Sequence, residues 1–349
     1  MNIFENKLLI GNNTKYFSII LILFCLFGAL LIGRETKVTS AVTYTFSPGR
    51  FGDHLLAYIH AKWVSHLYAI PLLYKPFSYS DQLVMHEKER LYSVNNERIY
   101  MHKLVFTKND TFEKLGINPY NNTLYIIPYF PESSADIENP ILRSWGFDFP
   151  YFKVDWKKQN FIEVMRNLIQ PRNALSKVAF PAKCFVLGVH VRKNSNGFDR
   201  PLSSDAATFD SKLLYSDQIY PLKFPPENYY IDQIRYVLKM YENKRVYIHI
   251  FTDDCNPSKI VNKFQKIIKD EHVTWGYRTF NNNHESNILE DFFSMMHVNC
   301  LIRPDSNLSL IASKLGSSSL VISPKHHVWL NNRLIIDQVE RSTNDFNEL

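Results

Sequence analysis

Phe185-Val186-Leu187-Gly188-Val189-His190-Val191-Arg192-Lys193-Asn194 is the stretch that decides how this chain is read. Its apolar run has the length of a buried strand, and the polar residues after it lie where such a strand ends. In open α/β sheets the crevice beyond the strand carboxyl ends is where ligands bind. An arginine at that edge offers planar paired donors that match phosphate oxygens, so Arg192, with His190 beside it, points to a nucleotide diphosphate. Taken alone, the pair also fits an ordinary strand end with a solvated arginine and a packed histidine.

Working outward, the downstream chain alternates regularly. The pattern predicts a strand over Phe185 to Val191, a helix over Pro226 to Tyr241, a strand over Arg245 to Phe251 and a helix over Pro257 to Lys269. A strand over His272 to Tyr277, a helix over Ile288 to His297, a strand over Cys300 to Arg303, a helix over Leu308 to Leu315 and a strand over Ser319 to Ile322 complete it. Repeated βα units imply a parallel sheet covered on both faces, so this half reads as a nucleotide-binding, Rossmann-like domain of the α/β class.

Upstream, Val42 to Phe46 reads as a strand, Ser47-Pro48-Gly49-Arg50-Phe51-Gly52-Asp53-His54 as a turn, and Leu55 to Leu73 as a helix. A strand, a glycine loop and a helix offer free amides at the helix start to an anionic or hydroxyl-rich ligand, although glycines there also serve backbone geometry alone. Leu124 to Pro128 reads as a buried strand and Gln159 to Ile169 as a helix. Between them, Tyr129, Phe130, Trp145, Phe147, Phe149, Tyr151, Phe152 and Trp156 make an aromatic-rich stretch, read as core in preference to a sugar-stacking surface.

A chain of 349 residues implies two domains, placed at 42–178 and 179–340. Its 45% apolar share excludes general disorder, and its net charge of +6 is scattered, without the basic stripe of a nucleic-acid-binding surface. Residues 17–33 are uncharged and flanked by Lys15 and Arg34, which predicts a single transmembrane anchor after a short tail, 1–16; a cleaved signal peptide is the competing reading. Flanking charge is balanced and does not orient that anchor. Asn109-Asp110-Thr111, Asn121-Asn122-Thr123 and Asn307-Leu308-Ser309 match the glycosylation pattern but recur by chance in an Asn-rich chain. Cys184, Cys255 and Cys300 read as buried small hydrophobes, with no spacing that suggests a metal.

Two further blocks carry chemistry. Thr252-Asp253-Asp254-Cys255-Asn256-Pro257 places acids at a strand end, suited equally to a ribose, a phosphate-bridging metal or a helix cap. Glu290-Asp291 and then Arg303-Pro304-Asp305-Ser306-Asn307-Leu308-Ser309 follow, the latter with hydroxyls and free amides that can cap a helix or hold phosphate.

In this order, Gly49-Arg50-Phe51-Gly52-Asp53-His54, His190-Val191-Arg192, Phe251-Thr252-Asp253-Asp254, Asp291 to Met295 and Arg303 to Ser309 resemble the fucosyltransferase superfamily, which includes alpha-1,2-, alpha-1,6- and protein O-fucosyltransferases. The resemblance implies a GT-B glycosyltransferase: two Rossmann-like lobes with a cleft between them and GDP held mainly by the second. It implies inverting transfer of fucose from GDP-fucose to a glycan hydroxyl, with no obligatory cofactor or metal. Carried over, Arg192 neutralises the diphosphate, His190 contacts nucleotide or sugar, Asp253 lies at the nucleotide, and Asp291 approaches the guanine. Ser306, Asn307 and Ser309 hold phosphate oxygens, while Arg50, Gly52 and Asp53 form the first-lobe wall. Asp53 leads as the acceptor's base, followed by His54 and Asp199. Two positions depart from the pattern: Lys193 replaces a second arginine, and Asp53-His54 replaces Asn-Gln. Another nucleotide-sugar donor, or a membrane-anchored glycan-binding protein with a degenerate pocket, are the alternative readings. GDP-sugar supply would set the soluble part facing the cytoplasm in a bacterium and the Golgi lumen in a eukaryote.

Overall fold

The computed structural model describes residues 39–47, 49–107, 116–132, 153–175, 178–193, 220–242, 244–279 and 288–343. The expected tail and anchor at 1–33, Asp199, and Trp145, Phe147, Phe149, Tyr151 and Phe152 lie outside the described residues. Among the described residues no helix is long and apolar enough to cross a membrane.

The first sheet is parallel and three-stranded, with β1 (Ala41–Tyr44) beside β5 (Thr123–Ile127) and β5 beside β4 (His102–Val105). A separate parallel pair joins β2 (Leu73–Tyr74) to β3 (Arg90–Leu91). The long helix of this lobe, α1 (Phe51–Tyr68), starts four residues before the expected position and ends five residues before it. Its start is set by Asp53, whose Oδ2 accepts the Arg50 backbone N–H at 3.1 Å and so satisfies one free amide of the first turn. It stops where Ala69 turns left-handed (φ 52°), which frees Leu73 for β2. Periodicity carried the expected helix through Leu73 because the β2 residues continue the apolar pattern of α1.

The second sheet has six strands in the order β11-β10-β9-β6-β7-β8. These are β6 (Phe185–Val191), β7 (Val246–Thr252), β8 (Val273–Tyr277), β9 (Cys300–Ile302), β10 (Leu320–Leu330) and β11 (Arg333–Thr343). All neighbours are parallel except β10 and β11, an antiparallel hairpin that turns through left-handed Asn331 and Asn332. The expected strand Ser319 to Ile322 is only the root of this hairpin, whose outer residues leave the sheet and expose Trp329 and Leu330. The connecting helices are α2 (Gln159–Leu168), α3 (Glu227–Met240), α4 (Pro257–Ile267), α5 (Leu289–Met295) and α6 (Asn307–Leu315). The βα alternation expected from Phe185 onward is therefore present in order.

Strand parity divides the packing. Leu187, Val189 and Val191 of β6 join Ile248 and Ile250 of β7 in one core, against α3 and α4. Val186 and Phe251 face the other way, into a larger core that also contains β1, α1, α2, α5 and α6. That core crosses from one lobe to the other, with Phe51 of α1 edge-on to Phe292 of α5 at 5.8 Å. A three-stranded sheet is too small to bury its own apolar surface, and it shares the core of the helices α5 and α6. Arg166 of α2 reinforces the seam by donating to the Leu315 and Gly316 carbonyls at the end of α6, at 2.8 and 3.2 Å.

In the aromatic stretch, Phe130 is buried and stacks on His60 at 3.9 Å, as core. Of the three free thiols, Cys300 is buried as expected, Cys184 is half-buried and Cys255, in the loop after β7, is exposed.

Candidate functional site

The carboxyl ends of β6, β7 and β9 bring the sequence-selected residues together. His190 lies on β6 beside Phe251 of β7 and is 4% exposed. Burial, then the Arg192 charge, lowers its pKa to about 3, with Asp253 opposing and Arg303 and Arg50 adding to the shift. The imidazole is therefore neutral, and its Nδ1 has no partner among the described residues. Three guanidiniums and one carboxylate thus act on this buried neutral ring.

Arg192 leaves β6 and pairs with Asp253 Oδ2 at 2.7 Å, the two side chains 10% and 15% exposed. The other oxygen, Oδ1, accepts the Lys193 backbone N–H at 3.0 Å. Asp253 thus orients Arg192 across the tops of two neighbouring strands. Lys193 turns away, donating to Glu227 Oε1 at 3.0 Å at the start of α3, where Lys263 also lands. These two lysines hold the Glu227 carboxyl below its usual range against the opposing effect of burial. The positive charge at position 193 therefore does not double that of Arg192. Asp254 accepts the Asn256 N–H at 2.8 Å within its loop, and Asn256 takes the N-cap position before Pro257 without a side-chain cap bond.

Arg303 follows β9. Its Nη1 donates to the Pro304 carbonyl at 3.0 Å, its Nε has no partner among the described residues, and burial depresses its pKa. The next residues start α6. Ser306 is the N-cap but its hydroxyl makes no cap bond, contrary to the helix-capping alternative; Ser309 Oγ instead donates back to the Ser306 carbonyl at 3.2 Å. Among the described residues no side chain caps the first-turn amides of α6.

The first lobe meets this helix start directly. A Cβ on Gly52 would fall 2.7 Å from the Leu308 nitrogen, so only glycine lets the first turns of α1 and α6 touch. Beside that contact, Asn307 Nδ2 donates to Asp53 Oδ1 at 2.6 Å and to Tyr129 Oη at 2.9 Å, and the Tyr129 hydroxyl donates to Asp53 Oδ1 at 3.2 Å. His54 lies one residue further along α1, its Nε2 3.3 Å from the Ser47 carbonyl and its ring packed on Phe46 at 4.5 Å. A hydrogen on Nε2 for Ser47 leaves the lone pair on the buried Nδ1.

At the far end, Arg278 after β8 pairs with Glu290 at 2.8 Å and with Asp291 at 2.5 Å at the start of α5. Burial raises the Asp291 pKa while Arg278 opposes it. Asp291 is thus about two strands along the sheet edge from His190 and Arg192, facing an arginine of its own.

Arg50, Gly52, Asp53, His190, Arg192, Asp253, Ser306, Asn307 and Ser309 fall along one edge where the lobes meet, with Asp291 at its side. Tyr129, Arg278 and Arg303 join them, and sequence reasoning did not select them. Arg303 sits at a strand end inside a quoted motif, which was a usable signal. Tyr129 was absorbed into the aromatic stretch, although it follows β5 by two residues.

A parallel three-stranded sheet and a largely parallel six-stranded sheet sharing a core, with arginines at their common edge, define an α/β fold. The fold is similar to that of a mutant form of Arabidopsis thaliana FUT1 in complex with GDP, with a TM-score of 0.50 and 11% identity over 83% of this chain and 71% of that one. It is also similar to POFUT1 in complex with GDP-fucose, at TM-score 0.40 and 10% identity over 81% and 96%. NodZ alpha-1,6-fucosyltransferase soaked with GDP-fucose gives TM-score 0.41 and 13% identity over 88% and 100%. No protein-family model and no curated protein sequence matches the chain.

Proposed function

We propose that the protein is a glycosyltransferase that moves fucose from GDP-fucose to a glycan hydroxyl with inversion. The observation that carries this reading is Arg192, held by Asp253 at 2.7 Å across the ends of β6 and β7 beside buried His190, with Arg50 and Arg303 also acting on that ring. Fixed positive charge there, beside the first turn of α6 that Ser306 does not cap, suits a leaving group that gains negative charge as its bond to the sugar breaks. The shared fold with a GDP-bound plant enzyme supports guanosine diphosphate as that leaving group.

In the proposed reaction the acceptor oxygen bonds to the anomeric carbon as the bond to the diphosphate oxygen breaks, and the acceptor proton passes to a base. Arg192, held by Asp253, and the start of α6 stabilise the departing diphosphate more than the bound donor, which lowers the barrier. Neutral His190 donates or accepts a hydrogen bond without adding charge. The arginines supply the positive charge that other transferases draw from a metal. Membrane attachment through residues 17–33, facing the cytoplasm in a bacterium or the Golgi lumen in a eukaryote, is part of the same proposal.

Titration calorimetry of the full chain with GDP tests it. Arg192→Ala should weaken binding by about 2–4 kcal/mol, or about 30- to 1,000-fold, the worth of charge-assisted contacts to a phosphate. Arg192→Lys should recover part of this, because charge returns without the planar fork. A folded Arg192→Ala variant that binds GDP as the parent does refutes the site, and a parent that binds no GDP refutes the donor.

A further inference from the structure

Asp53 has both carboxylate oxygens engaged. Oδ2 accepts the Arg50 N–H at 3.1 Å, while Oδ1 accepts Asn307 Nδ2 at 2.6 Å and the Tyr129 O–H at 3.2 Å. The second hydrogen of the Asn307 amide goes to Tyr129 Oη at 2.9 Å. Donors and acceptors balance: Asn307 gives two hydrogens, Tyr129 takes one and gives one, and Asp53 receives from both.

The backbone is shaped around this triangle. A Cβ on Gly49 would fall 2.0 Å from Asp53 Oδ2, so that glycine makes room for the carboxylate to fold back over its own helix start. Gly52 makes room for α6. The carboxylate lies against the starts of α1 and α6 at once. Where the family pattern reads asparagine, this chain has placed a fixed negative charge between two helix starts.

We infer that Asp53, Tyr129 and Asn307 form a latch between the lobes, in which Asp53 is a positioning residue that fixes the start of α6 against α1 and is not the acceptor's base. A proton arriving on Oδ1 has to displace the bond from Asn307 or Tyr129, and Oδ2 lies against Gly49 and the Arg50 N–H. Held in place, the carboxylate keeps the α6 amides at a set distance from Arg192. Only that last link, the anion held at α6, rests on the donor reading above.

A reciprocal swap tests the latch in the full chain. Asp53→Asn alone leaves two amides facing one another, and Asn307→Asp alone sets two carboxylates at the 2.6 Å contact. Combining them restores one amide and one carboxylate with the direction of donation reversed. The amide at 53 still accepts the Arg50 N–H through its oxygen, and Tyr129 again accepts from one partner and donates to the other. Each single variant should melt below the parent, Asn307→Asp lowest and with at least about tenfold weaker GDP binding. The double variant should regain most of the lost melting temperature and bind GDP far more tightly than the product of the single effects predicts. It should also regain the transfer that the single variants lose.

Melting temperatures that add across the cycle overturn the latch, since uncoupled groups are independent. A double variant that melts and binds GDP as the parent does, yet transfers nothing, overturns the positioning role and returns Asp53 to the base. If the parent binds no GDP, the donor reading fails and the melting cycle still decides the latch.

Discussion

Replacing Gly52 by alanine sets two effects of opposite sign against each other. A glycine inside a helix costs about 0.5–1 kcal/mol relative to alanine, so helix propensity alone predicts that Gly52→Ala stabilises α1. The new Cβ, however, would lie 2.7 Å from the Leu308 nitrogen, 3.1 Å from its Cα and 3.3 Å from the Asn307 carbonyl carbon. These are backbone atoms, which no rotamer change moves. Restoring ordinary contact near 3.6 Å requires α6 to withdraw by about 1 Å, and overpacking of this kind costs about 1–3 kcal/mol. The steric effect wins, leaving a net loss of about 1–2 kcal/mol, or a melting temperature lower by about 2–8 °C. The same withdrawal stretches the 2.6 Å contact between Asn307 and Asp53, so GDP affinity should fall together with stability. Thermal melts followed by circular dichroism, with calorimetry on the same samples, measure both. A higher melting temperature for Gly52→Ala would refute the close approach of α1 and α6 and the site built on it.

Acid should destabilise the protein through two buried histidines. Burial and Arg192 hold His190 down to about 3, and burial and Arg278 hold His249 down to about 4. Unfolded, both protonate near pH 6.5, so below that the unfolded chain binds more protons and each group removes about 1.4 kcal/mol of stability per pH unit as the pH falls toward 4. Urea midpoints at pH 7, 6 and 5 should fall steeply for the parent and less steeply for His249→Gln; equal slopes would show that His249 is not buried neutral. Arg166→Ala removes two donors from the end of α6 and should lower stability by about 1–3 kcal/mol while leaving GDP affinity unchanged, because the site lies at the other end of that helix. Weaker GDP binding without loss of stability would contradict that division.

Strand and helix order from Phe185 to Leu315 was legible because buried parallel strands read as continuous apolar runs and their helices carry a clear period. The hairpin of β10 and β11 was not, since its outer half lies beyond the sheet and alternates without a buried face. Arg192, His190 and Ser306 were legible as strand-end and helix-start chemistry. Their partners were not: Asp253 as the holder of Arg192, Arg278 as the holder of Asp291 and Tyr129 as a bridge all depend on which loops meet in space.

Local pattern by itself determined the α/β class, the order of elements in the second lobe, and the kind of ligand an arginine at a strand end can meet. Such properties follow from apolar spacing and side-chain chemistry within a few residues. Only the tertiary structure decided that one core serves both lobes, and that Asp53 and Asn307, 254 residues apart, share a hydrogen bond. Contacts over that separation leave no periodic trace in a single sequence, and a glycine whose missing Cβ admits another helix looks there like any other turn glycine.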